Sequence, residues 1–390
     1  MNRRAWLLPA PTVFVLAWGG NHFTPLLHLY ESLGGYAPWQ ANLLLGMYVF
    51  GLVPGLLVAS AFSDQHGRRP ATWIGLAASA IASGLLAAGF GSFALLCIGR
   101  VFAGLGVGVA MSVGSSWIKE LSSGAPSPTA GARRSSMTLT LGFGLGAGVT
   151  GVLAQWGPLP AELPYFVHLA LCVVAAAALL RAPESLDPAR RAAGPWWKDL
   201  RVPSAAQRPF LRVVLPAAPW VFAAAGVAYA IMPSVVEHRL GAHATLYATA
   251  LTVVTLGVGA VFQTLVPWLN RVTRGRALIV GLSGMTAGVI LAAVSAEIGD
   301  PALAFLVAAV LGASYGVCIV SGLVVAQSLA TPSDLAGVTG VYYSLTYVGF
   351  LLPTLVAALL PVMSYLTSLI IIAAVCAACL LVVARNLRVR

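Results

Sequence analysis

Twelve apolar runs, each about 20 residues long, succeed one another along this chain. A helical run of that length covers the roughly 30 Å of hydrocarbon in a bilayer, at about 1.5 Å per residue. The runs fall near 11–32, 40–62, 71–91, 93–117, 137–157, 164–181, 211–233, 245–268, 276–297, 301–328, 337–360 and 364–384. Inside hydrocarbon each backbone N–H and C=O needs a partner, which a helix supplies from its own segment. The expectation is an all-α membrane protein with twelve transmembrane helices. Of the 390 residues, 59% are hydrophobic and only 8% charged, a balance that excludes an ordinary soluble domain.

The charges are placed unevenly. With the N-terminus inside, 20 of the 22 Lys and Arg residues fall on the cytoplasmic side; the exceptions are Arg100, within a span, and Arg239, in an outer loop. Glu162, Glu237, Glu297 and Asp300 fall outside. This asymmetry predicts both termini in the cytoplasm of a cell (plasma or inner) membrane. The net charge of +11 is explained by anchoring at the bilayer rather than by nucleic acid. Met1-Asn-Arg-Arg leads into a first span that continues into the bundle, so no cleavable signal is expected. All five cysteines lie in apolar runs, and the Cys376-x-x-Cys379 pair is read as packed thiols.

The largest polar interruption, about 182–210, divides the chain into an N-terminal six-helix bundle (1–181) and a C-terminal one (211–390). It carries Arg190, Arg191, Lys198, Arg201 and Arg208 with Trp196 and Trp197, and is expected to be a cytoplasmic connector, partly amphipathic. The halves look like diverged copies. Asp64 to Gly75 aligns with Asn270 to Gly281, each between the second and third helix of its half. Gly104-Leu-Gly-Val-Gly108 parallels Gly312-Ala-Ser-Tyr-Gly316. Internal repeats around a shared site are the plan of many secondary transporters.

The link Ser60-Ala-Phe-Ser-Asp64-Gln-His-Gly67-Arg68-Arg69-Pro70 is the sharpest polar break in the first hundred residues. Its charges require water or headgroups, and Gly67 permits a tight turn. This loop resembles the signature of the major facilitator superfamily between helices 2 and 3, roughly G-x-x-x-D-x-x-G-R-[RK]. Asp64, Gly67, Arg68 and Arg69 match, with Ser60 in place of the leading Gly. The resemblance implies two pseudo-symmetric six-helix bundles, with these four residues at a cytoplasmic gate.

Helix 1 contains Asn21-His22-Phe-Thr-Pro25, then His28, Tyr30 and Glu31. Pro25 removes a backbone donor and should kink the helix. His22 lies about halfway across, where an ionisable group is costly and so suggests function; a neutral histidine bonded within the bundle is the plainer alternative. Glu31 lies near the outer end. Arg100 sits about seven residues in from the outer end of helix 4, roughly 10 Å deep, and must face the interior. Its surroundings, Gly99 to Gly108, resemble the superfamily's R-x-x-Q-G-x-G pattern, with Ala103 at the Gln position. By that resemblance Arg100 is linked to proton movement, acting on Glu31 or His22 as they approach it.

Helix 5 carries Gly142, Gly144, Gly146, Gly148 and Gly151, spacing that permits close helix approach. The Gly-Pro pair typical of antiporter members lies here at its outer end, as Gly157-Pro158, which leaves uniport and symport open. Helix 6 ends in Pro183-Glu184-Ser185, seen in both sugar-type and drug-type members. The amides expected of a sugar site are scarce: Gln155 lies at the outer end of helix 5, and the start of helix 7 has none. Asn21, Tyr229, Tyr315 and Tyr343 are the expected cavity residues, and an aromatic wall suits an amphipathic solute.

No phosphate-cradling loop, HExxH pair or Ser-His-Asp set is present in a polar loop, so neither enzyme activity nor a cofactor or metal is expected. The resemblance to drug/proton antiporters implies proton-coupled efflux of small amphipathic compounds by a monomer in the lipid bilayer. Uptake of a metabolite by symport or uniport is the alternative, and a membrane sensor without transport a second.

Overall fold

The computed structural model describes residues 4–122, 130–187, 202–331 and 334–387. They are helical with no strand, and ten helices are long and apolar enough to cross a membrane. These are α2 (Pro38–His66), α3 (Arg68–Ala88), α4 (Phe93–Glu120), α5 (Ala130–Trp156), α7 (Phe210–Arg239), α8 (Ala244–Val272), α9 (Ala277–Ile298), α10 (Pro301–Ser328), α11 (Gly337–Leu359) and α12 (Tyr365–Asn386). A shorter apolar helix, α6, runs Leu163–Leu179. The first crossing, α1 (10–32), is interrupted: α-helix over Ala10–Asn21, a 3-10 turn over Thr24–Leu26, and α-helix again over Leu27–Ser32. Twelve crossings result, as the apolar runs require.

The interruption in α1 has a local cause. His22 N–H still donates to the Trp18 carbonyl at 3.0 Å, but Pro25 has no N–H to give, and Leu26 N–H closes a tighter turn on Phe23 at 2.9 Å. Side-chain caps start other helices. Asp300 accepts from Ala302 N–H (2.8 Å) before α10, and Ser364 from Thr367 N–H (3.1 Å) before α12. Gly299, at φ 66°, ends α9 in the left-handed region. Helix α5 begins at Ala130, so Arg133 and Arg134 are its fourth and fifth residues. The Arg134 guanidinium lies 4.7 Å from the centre of the Trp6 ring, holding its charge against an aromatic face.

By backbone packing the chain groups into two compact units. One takes the residues up to Leu26 together with the first half from Met47; the other takes Leu27–Gly46 together with everything from Val202. Of the linker expected at 182–210, residues 188–201 lie outside the described segments.

Within the first unit α2 crosses α4 on glycine. A Cβ at Gly104 would stand 1.9 Å from the Tyr48 carbonyl oxygen, and one at Gly108 would stand 2.6 Å from the Gly55 backbone. Within the second unit α8 crosses α10 the same way: a Cβ at Gly316 would meet the Gly259 carbonyl at 2.2 Å and one at Gly312 the Thr255 carbonyl at 2.5 Å. The two glycine pairs aligned by sequence thus do the same job at the same crossing, between helices 2 and 4 of each half.

Candidate functional site

In the first unit the loop between α2 and α3 is a closed charge network. Gly67 takes φ 110°, and a Cβ there would lie 2.5 Å from Glu184 Oε2. The Glu184 carboxylate occupies the start of α3, accepting from the backbone N–H groups of Arg68 (3.0 Å) and Arg69 (2.9 Å). It also accepts from the N–H groups of Ser185 and Leu186. Burial acts to raise the Glu184 carboxyl, but the hydrogen bonds from Arg69, Leu186, Arg68 and Ser185 outweigh it and hold the pKa below its ordinary value. The Arg68 guanidinium spans Asp64 (2.5 Å), Ser63 (3.0 Å) and Glu120 (2.8 Å). Ser185 donates to Glu120, and Arg69 donates to the Leu180 carbonyl at 2.8 Å. Asp64, Gly67, Arg68 and Arg69 are thus brought together, and three residues join them that the sequence did not assign to this place: Glu120, Glu184 and Ser185. The Pro183-Glu184-Ser185 motif was visible in sequence, but its role as a cap on α3 was not.

Deeper in the same unit His22 and Arg100 are both fully buried. The Arg100 guanidinium packs on the faces of Phe23 and Tyr48, at 4.4 and 4.9 Å from the ring centres. It acts electrostatically on His22. The His22 ring meets Tyr165 and His168 edge to face, each with centroids 4.9 Å away. Neither nitrogen of His22 has a hydrogen-bond partner among the described residues. His168, by contrast, is fixed: its Nε2 lies 3.0 Å from the Val15 carbonyl and its Nδ1 2.7 Å from Ser83 Oγ. A carbonyl only accepts, so Nε2 carries a proton. Sequence reasoning missed His168, which reads as one polar residue in an apolar run. Asn21 donates to the Phe143 carbonyl (3.1 Å) and accepts from the Thr24 hydroxyl (2.9 Å), so its amide braces the break in α1 against α5.

Glu31 falls in the second unit, and its neighbours there are His28 and Glu237. His28 Nδ1 lies 3.3 Å from Glu237 Oε1. His28 and Glu31 line a small pocket with Asn42, Tyr229 and Ser234. The other predicted tyrosines pack in two neighbouring clusters. Tyr315 joins an aromatic cluster around Phe222, which stacks on Tyr347 (4.2 Å) and Phe350 (4.7 Å) and meets Tyr315 at 5.6 Å. Tyr343 packs beside Tyr342 in a core with Phe210 and Val338. At the far end of this unit Asp334 ties the start of α11 to the segment before α7. It accepts from Ser204 N–H (3.0 Å) and Thr331 N–H (2.8 Å), and those partners, foremost the Ser204 and Thr331 hydroxyls, pull its pKa to about 2.

A family model described as Major Facilitator Superfamily matches residues 10–234, more than half of the chain. No curated protein sequence matches it. Solved structures do. A point mutant of the nucleoside transporter NupG superposes with a TM-score of 0.76 at 14% identity, covering 99% of this chain and 100% of that one. A POT family transporter in complex with 5-aminolevulinic acid gives 0.77 at 11%, covering 98% and 96%. The xylose transporter XylE from E. coli gives 0.68 at 15%, covering 100% of each. At such identities the likeness establishes the fold: twelve transmembrane helices in two related six-helix bundles. A multi-pass secondary transporter rather than an enzyme, the chain belongs to the Major Facilitator Superfamily.

Proposed function

We propose that the protein exports small amphipathic compounds in exchange for protons, by alternating access of the halves 1–181 and 211–390 about the connector 182–210. The carrying observation is His22: a fully buried imidazole, neither nitrogen hydrogen-bonded among the described residues, in the electrostatic range of Arg100. An imidazole with no fixed partner is free to take and release a proton as its surroundings change. Arg100, permanently charged, opposes the protonated form while it is near. Glu31 is the second proton-carrying group proposed. The buried aromatic cluster of Phe222, Tyr315, Tyr347 and Phe350, with Tyr229 beside it, would suit an aromatic or amphipathic solute rather than a hydrated ion where the halves part. Asp64, Gly67, Arg68 and Arg69 act at the cytoplasmic gate, away from the solute.

The test is proteoliposome flux read with a fluorescent solute and a pH dye, on wild type, His22→Ala and Glu31→Gln. The expected result is solute-driven proton movement in wild type and its loss in His22→Ala with solute binding retained. Unchanged proton movement in both variants overturns the coupling assignment. Uptake by proton symport is a second reading, favoured by the likeness to a D-xylose-proton symporter (TM-score 0.69, 17% identity). Accumulation of solute with the proton gradient, rather than against it, selects symport. A sensor that kept the fold predicts no flux at all.

A further inference from the structure

The residues at the outer end of α1 form a donor set of which proton coupling, as proposed above, uses only Glu31. His28 and Glu31 are three apart on one helical turn and so share a face. Glu237, at the end of α7, meets that face. His28, Glu31 and Glu237 each offer one donor atom, and all three atoms lie within 4.8 Å of one another. Two carboxylates so close repel unless a positive charge lies between them. Among the described residues the one charge partner of either is the His28 imidazole, and only when it is protonated; no lysine or arginine pairs with them, and Arg239, the nearest in sequence to Glu237, donates instead to the Ile298 carbonyl at 3.2 Å. Tyr365 also lies beside both carboxylates, and it brings no positive charge.

A second observation comes from Asn42, which lines the same pocket from α2. It is only 6% exposed. Its Nδ2 donates to the Pro38 carbonyl at 2.8 Å, which turns Oδ1 the other way, and Oδ1 has no hydrogen-bond donor among the described residues. A buried amide oxygen without a donor is a ligand position waiting for a cation. One pair among the other donors already stands at the spacing of such an ion. Two donors of a tetrahedral ion with bonds of about 2.0–2.1 Å stand about 3.3–3.4 Å apart, and His28 Nδ1 and Glu237 Oε1 are 3.3 Å apart.

We propose that His28, Glu31, Glu237 and Asn42 Oδ1 form a binding site for a divalent transition metal of the zinc class. The imidazole nitrogen decides the class: calcium and magnesium take oxygen donors, whereas mixed imidazole and carboxylate sets suit zinc and its neighbours. Bound there, the ion neutralises the two carboxylates and joins α1 to α7 within the second unit. Glu31 is shared with the proton-coupling proposal, but metal binding is read without a proton gradient, so either reading can fail alone.

The test uses the full-length protein in detergent, tag removed and stripped with a chelator, then dialysed against Zn2+ and analysed for metal. One equivalent of Zn2+ is expected, undisplaced by a large excess of Ca2+ or Mg2+. His28→Ala and Glu237→Gln are each expected to weaken binding at least tenfold, while His66→Ala, an exposed histidine of the other unit, leaves it unchanged. Co2+ in place of Zn2+ should give the visible absorption of a four-coordinate ion, absent in Glu237→Gln. Thermal unfolding of each metal-free variant separates lost binding from lost folding. Zn2+ binding no greater than that of the His28→Ala/Glu31→Gln/Glu237→Gln triple variant, or Ca2+ binding as tightly as Zn2+, overturns the proposal.

Discussion

Gly67 is required for two reasons that act at one atom. Its φ of 110° is a conformation an L side chain resists, and the space a Cβ would need holds the Glu184 carboxylate. Gly67→Ala therefore has to unwind the turn or expel the cap. A loss of about 1–3 kcal/mol is expected, visible as a thermal-unfolding midpoint lowered by several degrees. Asp334 gives a pH-dependent counterpart. Its pKa of about 2 lies below the ordinary aspartate value of about 3.9, so its stabilisation is complete above about pH 4 and fades as the pH falls toward 2. Asp334→Ala should unfold at a lower temperature than wild type at pH 6, and the gap should close on acidification. A gap independent of pH would mean that the carboxylate charge is not what holds the Ser204 segment. The polar loop of Asp64, Arg68 and Arg69 was legible because charges cannot hide in hydrocarbon. Their partners Glu120 and Glu184 were not, because a bond between residues 116 positions apart leaves no trace in local spacing.

At the scale of helices, the crossings of α2 with α4 and of α8 with α10 depend on missing side chains. Gly104→Ala and Gly316→Ala each place a methyl group against a neighbouring backbone that cannot swing aside. Each should cost about 1–3 kcal/mol through overpacking, and the thermal-unfolding midpoint should fall in both. Gly84→Ala, where a Cβ meets nothing within 4 Å, is the control and should leave it unchanged or slightly raised. Helix number, length and order could be read from hydropathy because bilayer thickness imposes them. The glycine repeats were equally legible, since small residues at fixed spacing have few other uses. What the pattern could not give was the facing of each polar group. Glu31 and His22 share α1, but the turn at Thr24–Leu26 falls between them, and Glu31 gathers with His28 and Glu237.

For the whole molecule, the distribution of Lys and Arg sets orientation before any helix packs. A fluorescent protein fused after residue 390 should fluoresce, and alkaline phosphatase fused at the same point should be inactive, because both report a cytoplasmic C-terminus. The reverse pair of results would place the charged loop at Asp64 outside and remove the gate assignment with it. Transport itself is a property of both halves together, so no single-helix measurement substitutes for flux in vesicles.

Three stretches of this bundle, Ala110–Gly114 in α4 and Phe210–Val214 and Val227–Ile231 in α7, are wound as π-turns. Each holds one residue more than an α-helical path would need, and so turns the helix beyond it by about 100°. Among the described residues these are places where the chain can lose a residue with the hydrogen-bond ladder left whole. In a scan of single deletions through α4, the expected minimum of damage to folding lies within 110–114, flanked on both sides by positions where any deletion abolishes membrane expression.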